Sequence, residues 1–148
     1  RVMTSSVAGN AGASFGWINY RFIEAGKPSS QFNPYGGEER FWLGPEGGPF
    51  SIYFKPGTEQ IFNNWIVPKE IDTESFETVS SSDSQAAFKR DFSLVNASGT
   101  RLEIGVERNI KLLGHTETEA ALGIPIDKSL AFVAYESENI LKNNGQAA

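Results

Sequence analysis

From Ala86 to Leu113 the sequence alternates with a period of two, and this constrains the fold more than any other feature. Phe88, Phe92 and Leu94 share one parity, with Lys89, Asp91 and Ser93 on the other. After Asn96-Ala97-Ser98-Gly99 the pattern resumes. Leu102, Ile104, Val106, Ile110 and Leu112 alternate with Arg101, Glu103, Glu107, Asn109 and Lys111. Successive strand side chains point to opposite faces, so the pattern predicts an antiparallel hairpin with one face buried and one wet. The glycine-containing break supplies its turn. Arg90 and Arg108 fall on the apolar parity, and the expectation is that both lie near strand ends and reach solvent.

The chain has 148 residues, the size of one ordinary domain. With 39% hydrophobic and 21% charged residues it is globular, and 15 glycines with 11 phenylalanines favour strands joined by turns. A net charge of −5 without any lysine or arginine run argues against nucleic acid and against an anionic membrane surface. No apolar run approaches the roughly eighteen residues that span a bilayer, so no membrane span is expected. There is no cysteine, which removes disulfides, thiolate metal sites and a cysteine nucleophile. Residues 1–14 lack the apolar centre of a signal peptide, and a start at Arg1 suits a processed product whose export signal has been removed.

Around the hairpin, Phe15–Gly26 and Pro49–Gly57 read as strands, being rich in aromatic and β-branched residues and closed by glycine turns. Ile61–Ile71 reads as a weaker strand, limited by Pro68 to an edge or an end. Ser80–Gln85 reads as a polar loop. One short helix is expected: Thr116 and Glu119 match a capping box, Glu119–Leu122 follows, and Gly123 suits the position past its end. Ser129–Leu141 reads as a strand, apolar on both parities in its first half and therefore central. The Asn143-Asn144-Gly145 turn signal without a return strand predicts that further chain follows Ala148.

The chemistry-bearing stretch runs from Asn33 to Phe54, NPYGGEERFWLGPEGGPFSIYF. Gly36-Gly37 and Gly47-Gly48-Pro49 are turn chemistry. Between them Arg40, Trp42 and Glu46 present a guanidinium, an indole and a carboxylate. Such a set binds sugars, whose C–H faces stack on indole rings while charged groups bond ring hydroxyls. The competing structural reading makes Phe41 and Trp42 core aromatics and pairs Arg40 with Glu38 or Glu39 at the surface. Glu38, Glu39 and Glu46 are also candidates for a glycosidase carboxylate pair. His115, the single histidine, excludes a multi-histidine metal site and reads as a loop residue. Asn96 has the form of a glycosylation sequon, which a hairpin turn explains equally well. Glu136 and Glu138 share a strand face with Ala134 and Ile140, as a solvated strand end or a hard-cation site. No ligand spacing supports a metal, and no cofactor is expected.

The same stretch, with Phe15–Ile23 before it and Ser129–Ala148 at the end, resembles an uncharacterised family of exported bacterial proteins from Bacteroidetes, a domain of unknown function. That family is in turn similar to galactose mutarotase-like (aldose 1-epimerase-like) proteins. The resemblance implies an all-β fold: an antiparallel β-sandwich, the N-terminal part of a supersandwich. Residues 1–148 would form a single β-sandwich domain or the N-terminal portion of a larger one, with the remainder of the polypeptide as its structural partner. It implies a carbohydrate ligand, a periplasmic or secreted location, and carbohydrate binding or carbohydrate-active chemistry, with sugar epimerisation as the enzymatic version. The alternative is a non-catalytic glycan-binding or structural β-sandwich domain. Asn33, Tyr35, Arg40, Trp42 and Glu46 are carried over as cleft residues, with Arg40 and Glu46 as hydroxyl partners and Trp42 as a stacking platform. Mutarotases use a histidine acid and a glutamate base, and His115 sits in no matching motif, so no catalytic role is transferred.

Overall fold

A computed structural model describes residues 16–146. Phe15, the signal-peptide reading of residues 1–14, and Ala147–Ala148 lie outside the described residues. The predicted hairpin is the centre of the molecule. Strands β3 (Glu77–Ser81), β4 (Gln85–Val95), β5 (Arg101–Leu113) and β6 (Ala134–Asn143) form one antiparallel sheet in that order. The register sets Phe92 opposite Ile104, Leu94 opposite Leu102, and Arg90 opposite Val106, so the apolar parities share a face as the alternation requires. A second, two-residue antiparallel ribbon joins β1 (Trp17–Ile18) to β2 (Gly36–Gly37). The architecture is mainly antiparallel β-sheet with a few short helices, consistent with a β-sandwich plan.

Four strand readings change. Of Phe15–Gly26 only Trp17–Ile18 is strand, because Asn19 accepts a hydrogen bond from the Phe22 N–H and caps helix α1 (Tyr20–Ala25). Gly26, at φ 59°, ends that helix in the left-handed region. Pro49–Gly57 forms no strand; its carbonyls bond irregular neighbours, with Ser51 accepting from Ala97 N–H at 2.7 Å and Tyr53 from Ile66 N–H at 2.9 Å. Ile61–Ile71 becomes a 3₁₀ turn (Phe62–Asn64) followed by helix α2 (Lys69–Asp72), which Pro68 begins rather than breaks. The last strand starts later than expected and lies at the sheet edge, not its centre.

Ser80 and Ser81 extend β3, leaving only residues 82–84 as turn. The single predicted helix is α3 (His115–Leu122), joined by α1 and α2. Its N-cap is Gly114, whose N–H donates to the Glu117 carboxylate at 2.9 Å, not Thr116 with Glu119. Gly123 ends it at φ 69° as anticipated. His115 is thus the first residue of α3 instead of a loop residue. Asn96 is buried and its side-chain oxygen accepts from the Ser98 and Thr100 N–H groups, so it shapes the hairpin turn. Among the described residues no helix is long and apolar enough to cross a membrane.

The core lies between the apolar face of the sheet and a largely irregular layer formed by residues 31–76. Tyr53, Phe54, Val67 and Ile71 from that layer meet Phe92, Leu94 and Val106 of the sheet. Gly36 ties the ribbon to this layer. It sits at φ +78°, and a Cβ there would lie 2.3 Å from the Trp17 carbonyl oxygen. Gly36→Ala is therefore expected to cost roughly 2–4 kcal/mol, summing left-handed strain and overpacking against backbone. The urea midpoint measures it, and a midpoint equal to that of the unsubstituted protein would contradict the geometry.

Candidate functional site

The loop layer meets the sheet along an open cleft of about 570 Å³. Tyr35, Gly36 and Arg40 come from the glycine-hinged segment, Asp72 and Glu74 from α2 and the residues after it, and Phe88, Arg108 and Ile110 from the sheet. A smaller hollow of about 330 Å³ adjoins it, lined by Leu112 and Tyr135 and sharing Glu39, Arg108 and Ile110 with the first. Cavities of this size accept small organic ligands.

Its polar wall is a series of arginine–carboxylate pairs. The Arg40 guanidinium donates to the Asp72 carboxylate and, at 3.1 Å, to the Asn33 carbonyl. The same guanidinium lies 4.6 Å over the Phe32 ring. Arg108 donates to Glu39 and lies 5.5 Å over Phe41. Arg90, behind the wall and not lining it, donates to Glu74 and, at 3.0 Å, to the Ser75 carbonyl. Arg90 and Arg108 do not reach solvent at strand ends. They occupy mid-strand positions with side chains 18% and 13% exposed, because acids on the covering loops come down to meet them.

The predicted residues divide. Tyr35 and Arg40 stand on the cleft wall. Asn33 is buried and acts as a clamp: its amide donates to Asp72 at 2.6 Å while its oxygen accepts from the Ser29 N–H at 2.8 Å. Trp42 and Glu46 are not part of this wall and bond each other, indole N–H to carboxylate at 2.8 Å. Trp42 packs with Tyr53 at 5.2 Å and Trp65 at 6.3 Å between ring centroids, as a core aromatic. Tyr53, 1% exposed, donates to the Leu43 carbonyl at 2.6 Å, and burial is the main reason its phenol is pushed up to about 12. Arg40 pairs with Asp72, not with Glu38 or Glu39.

Glu39, Asp72, Glu74, Phe88 and Arg108 also line the wall; of these, sequence reasoning had singled out Glu39 alone, as a candidate for a glycosidase carboxylate pair. One signal was present, the arginines on an apolar parity: a cation there needs a partner from a facing layer. His115 does not line the cleft; its ring meets Phe132 edge-on at 5.4 Å and its Nδ1 lies 3.4 Å from Glu119. Glu138 accepts from Asn109 at 3.0 Å on the wet face. Among the described residues no group of three or more acids or histidines is placed to hold a metal ion.

The whole chain, residues 1–148, matches the model of a family of unknown function, DUF6786, and the protein belongs to that family. No curated protein and no solved structure matches it.

Two predictions follow from the ion pairs. Asp72, its side chain 4% exposed, joins Arg40 and Asn33. Asp72→Ala takes the carboxylate from both donors, leaving them only backbone carbonyls, and is expected to lower stability by about 2–4 kcal/mol, discounted for the partial exposure of Arg40. Thermal and urea unfolding read it. For Glu74, the hydrogen bond from Lys69 is the largest influence and outweighs the opposing effect of burial; Arg90 adds to it, and the carboxyl is held below its ordinary 4.5. A lowered folded-state pKa gives stability that is full above pH 4.5 and is lost as pH falls through the lower folded value. The melting-temperature gap between the protein and Glu74→Gln should be constant near neutrality and close in acid; a gap that widens in acid would reverse the assignment.

Proposed function

We propose that the protein binds a saccharide in the cleft between its loop layer and its four-stranded sheet, within a galactose mutarotase-like β-sandwich of an exported bacterial protein. The observation that carries this reading is the alternation of arginine–carboxylate pairs beside aromatic rings. Each pair sets fixed N–H donors next to carboxylate acceptors, as at Arg40–Asp72 and Arg108–Glu39. A sugar hydroxyl both donates and accepts, so neighbouring hydroxyls complement such a pair without disturbing its charge balance. Tyr35, Phe41, Phe76 and Phe88 supply apolar surface for the C–H faces of a pyranose.

The reading is of binding. Epimerisation on the mutarotase plan requires a histidine acid, and His115 stands outside the cleft wall, so no residue of this chain is assigned a catalytic role.

A glycan array followed by calorimetric titration tests it. Tyr35→Ala should weaken the leading glycan by roughly fivefold, the scale of one aromatic contact. Trp42→Phe should leave the array profile unchanged, since Trp42 is absent from the wall. No glycan bound, or an unaltered affinity in Tyr35→Ala, would overturn the proposal.

A further inference from the structure

Resting on the saccharide reading, we infer that Arg108 and Ser137 form a carboxylate subsite, that Glu39 occupies it as an internal stand-in, and that the ligand is an acidic saccharide carrying a uronic acid. Arg108 sits in the middle of β5, between Val106 and Ile110 on the apolar face, where an aliphatic side chain would serve packing alone. Ser137 of β6 lies opposite Ile110 on that same face, diagonal to Arg108. Both donate to one group: Arg108 to Glu39 Oε1, and the Ser137 hydroxyl to Glu39 Oε2 at 2.7 Å. Two strands thus converge on a single planar carboxylate from a distant segment, one donor for each oxygen.

The location of this carboxylate carries the inference further. Glu39 and Arg108 lie at the boundary of the two hollows and line both. A ligand extending from the 570 Å³ hollow into the 330 Å³ one must pass this pair. A neutral sugar would leave it intact; a uronate could take the place of Glu39 on Arg108 and Ser137. The exchange conserves charge at the guanidinium, which is 13% exposed and badly placed to lose its partner. Glu39 is the more exposed member at 31%. Glu39 lies beyond the paired Gly36-Gly37 ribbon, so its side chain can swing from Arg108 toward water without disturbing that pairing. The planar fork of arginine matches carboxylate geometry, which favours a uronate over a cationic or neutral sugar.

The test is a glycan array of matched pairs, each uronic acid glycan beside its neutral counterpart of the same linkage, probed with the unsubstituted protein, Glu39→Gln and Arg108→Lys. Uronates are expected to bind about tenfold more tightly than their neutral partners, the value of one charge-assisted bond. Glu39→Gln removes the internal competitor and should raise uronate affinity severalfold, while neutral glycans, which lose a carboxylate acceptor, should bind no more tightly than to the unsubstituted protein. Arg108→Lys, which keeps the charge but loses the fork, should erase the preference; if that variant fails to fold, the direction of the Glu39→Gln change decides. Binding confined to neutral glycans, or a uronate affinity that falls in Glu39→Gln, overturns the subsite while leaving saccharide binding in place. Binding of no glycan removes both.

Discussion

Packing of three aromatic rings holds the molecule together. Trp42, Tyr53 and Trp65 lie within 5.2–6.3 Å of one another between centroids, with Phe32 edge-on to Trp42 and Phe62 stacked on Trp65. The layer they organise contains almost no regular secondary structure, so its backbone groups cannot be satisfied by ladders of its own. They are satisfied singly instead. Gln31 donates from its amide to the Phe62 and Trp65 carbonyls, Tyr53 closes onto Leu43, and Gln60 exchanges bonds with both the N–H and the carbonyl of Gly48. Large rings bury much area for few fixed torsions, which suits a layer that must be held by side chains.

The same choice explains what could be read from the sequence. The hairpin was legible because its alternation records a half-buried surface, and the structure keeps the parity from Phe88 to Leu112. Pro49–Gly57 was read as strand from the same residue types. Its Ile52, Tyr53 and Phe54 pack into a core between loops while Phe50 stays exposed, and β propensity reports fit to a half-buried surface more than it reports a ladder. Helix α1 was missed for a related reason: its aromatic and β-branched residues mask a cap that depends on one side chain, Asn19. Edge position was beyond reach, since the apolar run before β6 falls partly in residues 129–133, which precede the strand.

Of the residues that the sequence singled out for a site, Tyr35 and Arg40 line the cleft, and Trp42 and Glu46 do not. Gly36-Gly37 and Arg40 do bring a guanidinium to a cleft, but Trp42 turns inward and Glu46 follows it through the indole hydrogen bond. Spacing of two or four residues says which side chains are neighbours in an extended or helical segment, and this segment is neither. The partners that complete the wall are far away in the chain: Asp72 lies 32 residues from Arg40, and Arg108 lies 69 from Glu39. Such separations are invisible to local pattern and are set by which layer covers which sheet.

The arginine pairs link this construction to the cleft. A buried ion pair is poor evidence of stability on its own, because desolvation offsets much of the attraction. Here each pair spans the two layers or two segments of one layer, and a misplaced loop would strand a guanidinium on an apolar face. The pairs therefore discriminate among ways of laying the loops on the sheet, a matter of specificity more than of net stability. Since Arg40, Asp72, Glu39 and Arg108 line the cleft, its shape is tied to the condition that fixes the docking of the layers. Substitutions at Arg40, Asp72 or Arg108 should then shift folding and ligand affinity together, whereas Tyr35, which takes no part in those ion pairs, offers a way to alter the cleft while leaving them in place.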